Sequence, residues 1–401
     1  MKIEYLKNKK ILILGFGKEG QDTFNFLKKY CKDITIADKK LKNNYLEKIK
    51  GCDVIVKSPG ISQNLIKPLI KKNQIITSQA DIFLNNCNGI VIGITGTKGK
   101  STTASLISKI LSYKKIKNSL IGNIGNPALK NIKKDKNHIY VYEMSSFQLQ
   151  NITKSPHIAV LLNLYRDHLD QHKNIKEYYN SKANIVKFQT SKDFLIFNSD
   201  DKNIINIIKN SKAKKIPFDP KKQNLKIPDN INVYHDLIIK LAKLFKIKRE
   251  DVEIVANKFK TLPYRMEYVG KYKGVIFYDN SAATIPEATI SSIDKSGDSL
   301  KTLIAGGLDK GFNLKELSKK ISLSSIENLI LFPDTGIKIA KLVKNKNIYH
   351  VKNMKDAVEI AIKKTPKNSI CLLAPGASSL NMFKDYKERG DLFKKYAKQI
   401  R

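Results

Sequence analysis

The chain has 401 residues, 41% of them hydrophobic, and sets 74 Lys and Arg against 36 Asp and Glu, a formal net charge of +38. That length predicts two or three domains, and that apolar share suffices for packed cores. With no run of 18 apolar residues, and no N-terminal apolar stretch and cleavage site of the signal-peptide kind, a cytoplasmic protein without membrane insertion is expected.

So large a positive charge could point to nucleic acid or to an acidic membrane surface. The lysines, however, are spread along the whole chain in K-K pairs. There is no Arg-rich tail, no basic strip interleaved with aromatics and no DNA-binding motif. Lys, Asn and Ile are all abundant, so compositional drift is the simpler reading and no nucleic-acid partner is expected. The charge would still draw in anionic substrates. The four cysteines, Cys31, Cys52, Cys87 and Cys371, form no C-x-x-C pair, which argues for reduced thiols rather than a zinc site or a disulfide framework.

In chain order, residues 9–20, K-K-I-L-I-L-G-F-G-K-E-G, read as a strand followed by G-x-G-x-x-G, and Asp38 ends the next strand-like run. Alone, this fits an NAD site, another nucleotide site or a bare structural turn. Val54–Ile61 is a further strand ending in S-P-G, so residues 1–88 form a βαβ-type unit. The chain is organised around Ile92–Ala104, I-G-I-T-G-T-K-G-K-S-T-T-A. An apolar run enters these glycines and a helix-compatible run, Ser101–Leu111, leaves them. Such a turn cradles phosphate: glycines let backbone N–H groups close on an anion, the helix N-terminus adds partial positive charge, and Lys100 adds a full one. Ser101 or Thr102 is placed to offer a hydroxyl to a nucleotide-bound Mg²⁺. A standard P-loop has a Gly five positions before that of G-K; here that position is Ile94, so the loop is a variant.

Beyond it, Tyr140–Ser145 reads as a buried strand ending in Glu143, where a carboxylate near a phosphate loop can hold Mg²⁺. Ile158–Asp170 is another strand, with His168 just beyond it. His172 follows, but H-L-D-Q-H lacks the Glu of a zinc H-E-x-x-H motif. Lys176–Phe188 predicts an amphipathic helix carrying Lys182, and Phe194–Asp201 a strand and turn. Residues 202–230 read as polar loops between short elements, Asp236–Ile247 as a helix, and the second unit closes at residue 261. A third α/β unit, 262–401, has strands at Val275–Tyr278, Thr302–Ala305, Asn328–Phe332 and Ile370–Ala374. G-G-L-D-K and P-G-A-S-S-L sit just past two of these strand ends, where open α/β sheets bind ligands.

The phosphate loop, E-M-S-S-F-Q-L, N-L-x-x-D-H-L-D, L-P-Y-R-M-E, G-G-L-D-K and A-P-G-A-S-S-L-N-M-F-K-D-Y-K-x-R-G occur in that order. With G-F-G-K-E-G and S-P-G-I before them, this set resembles the Mur ligase family over essentially the whole chain. The resemblance implies three α/β domains: a Rossmann-like UDP-binding domain at 1–88, a P-loop-type ATPase domain at 89–261 and a Rossmann-like amino-acid-binding domain at 262–401. It implies ATP and Mg²⁺, a monomer, and a place in peptidoglycan precursor synthesis. The last two motifs and S-P-G-I favour the activity that joins D-glutamate to UDP-N-acetylmuramoyl-L-alanine through an acyl phosphate.

Carried over by that resemblance, Gly96, Thr97, Lys98, Gly99, Lys100, Ser101 and Thr102 would hold ATP, with Asn232, Arg265 and Asp279. Ser101 and Glu143 would ligate one Mg²⁺ and His168 a second. Lys182 would be the family's carbamylated lysine, a metal partner. Gly17, Lys18, Asp38, Lys39, Ser58, Pro59 and Gly60 would take the UDP part, and Asn123 and Ser145 the muramoyl part. Thr284, Lys310, Ser379, Leu380 and Tyr386 would hold D-glutamate. The chain departs from the family in reading Asp279–Asn280–Ser281 for the usual Asn-Asp-Ser, Ala282 for a lysine and His235 for an asparagine, and in a short 202–230 segment. Other readings are another Mur-type or folylpolyglutamate-type ligase, an NAD-dependent oxidoreductase, and a non-catalytic nucleotide-binding protein.

Overall fold

The computed structural model describes residues 1–41, 44–123, 126–167, 172–222, 225–226, 234–259 and 262–399. The chain divides into two compact units, Met1–Phe259 and Lys260–Arg401. Among the described residues no helix is long and apolar enough to cross a membrane.

The first unit holds two parallel sheets. One contains β1 (Ile11–Leu14), β2 (Ile34–Ala37), β3 (Val54–Lys57) and β4 (Ile75–Thr77) in the order β2-β1-β3-β4. The other contains β5 (Ile90–Thr95), β6 (Asn118–Gly122), β7 (Ile139–Glu143), β8 (Ile158–Leu161), β9 (Phe194–Asn198) and β10 (Lys214–Phe218), ordered β10-β9-β8-β5-β7-β6. Strands such as I-L-I-L and I-A-V-L are buried at every position. That is the pattern of parallel strands covered on both faces, and it is why they read as unbroken apolar runs. Pro217 lies in β10, an edge strand, where a missing N–H costs no central ladder bond.

The two sheets are joined by buried polar contacts. Asp22 accepts from the amides of Leu129 (3.0 Å) and Lys130 (3.1 Å). Gln148 Nε2 donates to Glu19 Oε1 at 2.6 Å. Burial raises the Glu19 carboxyl to about 7, against the opposing pull of that hydrogen bond.

The second unit contains one mixed sheet of β11 (Glu267–Tyr272), β12 (Val275–Asp279), β13 (Leu300–Gly307), β14 (Asn328–Asp334), β15 (Asn347–His350) and β16 (Ile370–Leu373). Its order is β11-β12-β16-β13-β14-β15. The four strands read from sequence form its parallel interior. The two edge strands escaped that reading. β11, E-Y-V-G-K-Y, is half-exposed, bulged between Tyr268 and Gly270, and antiparallel to β12; β15 is short, with exposed ends. Both lack the apolar run that reveals an interior strand. Within 202–230, read as loops between short elements, those elements are the helix Lys202–Ile207 and β10, each too short or polar to be bounded from the sequence.

Candidate functional site

The phosphate loop leaves the C-terminal end of β5, a central strand, and enters the helix Lys100–Tyr113. Gly96 and Gly99 have φ of +152° and +85°, backbone that side chains rarely adopt. A Cβ on Gly96 would also meet the Leu162 Cβ at 2.9 Å. Gly99 is the N-cap, so the helix opens with its amide ends and positive dipole at the loop. Ser101 is half-buried in the first turn, whereas Thr102 is buried. Lys100 Nζ folds back to the carbonyls of Gly96 and Thr97, 2.9 Å from each.

Asn163, just past β8, staples this loop. Its Oδ1 accepts from the amides of Thr97 (3.1 Å) and Lys98 (2.8 Å). Its Nδ2 donates to the Lys98 carbonyl (3.0 Å) and to the Tyr234 hydroxyl (2.8 Å). Sequence reasoning gave Asn163 no role. Its place inside N-L-x-x-D-H-L-D, directly after an apolar strand, was the available signal.

Glu143 ends β7 and pairs in register with Ile94 of β5, so it stands at the sheet edge that carries the loop. It is 1% exposed. One oxygen accepts from Asn123 at 3.2 Å; the other, Oε2, is buried with no hydrogen-bond partner among the described residues. An orphaned buried carboxylate oxygen is costly and suits a cation. A carboxylate oxygen is the kind of donor a hard ion such as Mg²⁺ takes. His168 and Asn232 lie outside the described residues.

Lys182, on the helix Ile175–Lys187, is 2% exposed and sends Nζ to the Gly96 carbonyl (2.9 Å) and Thr95 Oγ1 (3.4 Å). Nζ also lies over the Tyr178 ring, 4.9 Å from its centroid, and the Tyr178 hydroxyl is 3.1 Å from Thr97 Oγ1. Burial, then the charge of Lys100, drive the Lys182 amine well below the usual lysine range. Ser145 caps the short helix Ser146–Leu149 in a capping box with Gln148, the residue that reaches Glu19. His172 is buried within hydrogen-bond distance of Ser146 (3.0 Å) and stacks on Phe147.

In the first sheet, Gly17 caps the helix Lys18–Leu27, and Gly17, Lys18 and Lys39 are exposed. Asp38 accepts from the amides of Phe16 (2.6 Å) and Lys40 (2.8 Å), which hold its carboxyl low. Ser58 Oγ donates to the Gly15 carbonyl at 2.7 Å, tying S-P-G to the glycine turn; Pro59 is half-buried and Gly60 exposed.

In the second unit, β12, β16 and β13 are neighbours, and their C-terminal ends bring three expected segments together. Gly376 N donates to the Ala283 carbonyl (2.9 Å) and Leu308 N to the Ser378 carbonyl (2.9 Å). Thr284, Lys310, Ser379 and Leu380 are thus carried on one cluster of loops, and Ser281 Oγ ties to it Tyr386, the first residue of the helix Tyr386–Gln399, by donating to the Tyr386 carbonyl at 2.8 Å. Ser379 is buried, Leu380 is exposed, and the other three are half-buried. Arg265 lies between Tyr264 and Met266, both at positive φ (+65° and +49°). Lys394, on the helix Tyr386–Gln399, holds this turn from over the Tyr264 ring (4.0 Å) and through Glu267 (3.1 Å).

Asp279 was expected among the ATP contacts, but it is 0% exposed and turned inward. Oδ1 accepts from Ser281 N at 2.8 Å, and Oδ2 has no hydrogen-bond partner among the described residues. Burial raises its carboxyl to about 7. The adjoining Gly390 has no room for a side chain, since a Cβ there would meet Tyr264 at 2.4 Å and Asp279 Oδ2 at 2.5 Å.

A glycine-cornered loop between a central parallel strand and a helix, with lysines and a buried carboxylate at the same sheet edge, defines a P-loop-type mononucleotide-binding α/β protein. The comparisons narrow the class. A model of the Mur ligase middle domain matches residues 94–273. The chain is 32% identical to a UDP-N-acetylmuramoylalanine–D-glutamate ligase of Clostridioides difficile, covering 97% of this chain and 98% of that protein. It is 30% identical to a protein of the same name from Acetivibrio thermocellus, over 98% and 97%. The fold matches a MurF ligase from Thermotoga maritima in complex with ADP (TM-score 0.62, 15% identity, 99% and 97% coverage). It also matches a pseudomurein peptide ligase type C from Methanothermus fervidus (TM-score 0.59, 20% identity, 97% and 100%). The chain belongs to the Mur ligase family; it is an enzyme of the ligase class.

Proposed function

We propose that this enzyme joins D-glutamate to UDP-N-acetylmuramoyl-L-alanine at the expense of ATP, in the cytoplasm and as a monomer, during peptidoglycan precursor synthesis. The observation that carries the reading is the union of the phosphate loop with buried Glu143 and Lys182 at one sheet edge, in a chain whose full-length relatives bear that activity in their names.

A carboxylate is a poor acyl donor, because it is negatively charged and has no good leaving group. Transfer of the ATP γ-phosphoryl to the terminal carboxylate oxygen gives an acyl phosphate and ADP. The D-glutamate amine attacks the acyl carbon, and the tetrahedral species expels phosphate as the amide forms. The protein's work is to position anions and offset their charge. Lys100 and the amides at the helix start hold the phosphates. Ser101 and Glu143 would hold one Mg²⁺ and His168 a second, and such ions would supply charge to offset the phosphates. Burial lowers the Lys182 ammonium's pKa and so favours the amine that carbon dioxide would add to; the resulting carbamate would serve as a metal partner. Residues 1–88 take the UDP part through Gly17, Lys18, Asp38, Lys39 and Ser58–Gly60. Residues 89–261 take ATP and, at Asn123 and Ser145, the muramoyl part. Residues 262–401 take D-glutamate.

The test is phosphate release with ATP, Mg²⁺ and UDP-N-acetylmuramoyl-L-alanine, adding D-glutamate, L-glutamate, L-lysine or nothing. Release with D-glutamate alone, lost in Lys100→Ala, is expected. Release with a different amino acid moves the enzyme within its family, and undiminished release by Lys100→Ala overturns the role of the loop.

A further inference from the structure

Arg389 is the bulkiest fully buried side chain among the described residues, at 0% exposure. It stands in the first turn of the helix Tyr386–Gln399. Its acceptors are neutral: Nε donates to Ser281 Oγ (3.0 Å), Nη2 to the Ser281 carbonyl (2.9 Å) and Nη1 to the Ala377 carbonyl (3.2 Å). Ser281 Oγ in turn donates to the Tyr386 carbonyl at 2.8 Å. One guanidinium therefore fixes the segment after β12, the segment after β16 and the start of the last helix. The segment after β13 is pinned to the same cluster by the Leu308–Ser378 bond.

A desolvated cation spent on carbonyls and a hydroxyl is a costly way to fill a core, since apolar side chains of that volume do so without losing hydration. What it supplies is geometry: a planar fork whose donors lie at fixed angles, which a lysine cannot imitate. Thr284 lies three residues beyond Ser281, Ser379 two beyond Ala377, and Tyr386 three before Arg389. We propose that Arg389 is a positioning residue of the amino-acid pocket, setting the spacing of Thr284, Ser379 and Tyr386 so that they meet the incoming amino acid together. This rests on the functional reading above, which assigns those three residues to D-glutamate.

The test is steady-state kinetics of the full chain with Arg389→Lys and Arg389→Met, varying each substrate in turn. Losing directional bonds from a charged donor predicts a rise of about tenfold or more in KM for D-glutamate. KM for the UDP substrate should stay within about twofold of the parent, because this network includes none of the residues assigned to that substrate. A purely structural arginine would not split the constants in this way. A folded variant with unchanged KM for D-glutamate, or with both constants raised alike, overturns the proposal. Should both variants fail to fold, Ser281→Ala removes the hydroxyl between Arg389 and Tyr386; a rise of about threefold or more in KM for D-glutamate with KM for the UDP substrate unchanged supports the proposal, and no rise overturns it. A parent enzyme that uses another amino acid refutes the D-glutamate assignment, while the same split, measured with that amino acid, still decides the role of Arg389.

Discussion

Asn163→Ala tests whether the phosphate loop is held in shape by one side chain. Asn163 is 2% exposed and makes four hydrogen bonds to the loop and to Tyr234. They are not equal in consequence. Thr97 N keeps a second acceptor, the Asn163 main-chain carbonyl at 2.9 Å, so truncation does not strand it. Lys98 N does lose its acceptor, at about 1–3 kcal/mol for a buried amide left unpaired. The Lys98 carbonyl and the Tyr234 hydroxyl each lose a donor, at about 0.5–1.5 kcal/mol. Lys98 is half-buried and water can take over part of its role, which brings the total to about 2–3 kcal/mol. Where that loss falls on global unfolding, urea denaturation shows a lower midpoint at unchanged slope. Where it falls on the loop alone, the competent conformation is depopulated and KM for ATP rises by about thirty- to 150-fold. Tyr234→Phe removes one of the four bonds and should cost about 1 kcal/mol or less. An Asn163→Ala enzyme with the parent's urea midpoint and the parent's KM for ATP would refute the reasoning.

Two further substitutions separate function from fold. Lys182→Ala should be inactive and regain part of its turnover with short carboxylic acids that stand in for a carbamate; a folded variant that acetate and formate leave inactive reduces Lys182 to a structural role. Because burial disfavours its ammonium relative to the unfolded chain, this lysine lowers stability at every pH below its ordinary value of 10.5, so Lys182→Met should unfold at a higher temperature at pH 7. Asp279→Asn should also stabilise, with a pH signature. The carboxyl is raised from 3.8 to about 7 in the fold, so both states bind the proton at low pH and the side chain is then neutral to stability. As pH climbs between those values the unfolded chain ionises first, and the penalty grows to at most about 4 kcal/mol, constant above pH 7. A gain that is flat from pH 4 to pH 8 would sink this account.

What could be read in the sequence was what depends on neighbours in the chain. β5, its glycine turn and the helix after it form one local unit, in which apolar run, left-handed glycines and N-terminal amides lie within a dozen residues, so Gly96 through Ser101 could be placed by spacing alone. Glu143 was legible for the same reason, as a charge ending an apolar strand. Asn163 was not, because its meaning comes from β8 lying beside β5, a sheet-order fact that no spacing encodes. Arg389 was hidden more thoroughly. In a chain with 74 basic residues, a single arginine beside lysines reads as one more solvated charge. The clue lay in its neighbour: Gly390, inside a helix, forfeits helix propensity that Ala would supply, and it does so because Asp279 and Tyr264 leave no space for a Cβ.

Asp279 shows the opposite case. The sequence supplied a carboxylate next to the expected position and left two readings open, a role shifted by one residue or a changed contact to ATP. In a strand a one-residue shift turns a side chain to the other face. Asp279 is the last residue of β12, and its inward face is occupied by Gly390 and the helix Tyr386–Gln399. Asn280, which does follow the strand, donates instead to Ser292 Oγ at 2.6 Å. Neither side chain of the exchanged pair is therefore free to be moved by analogy.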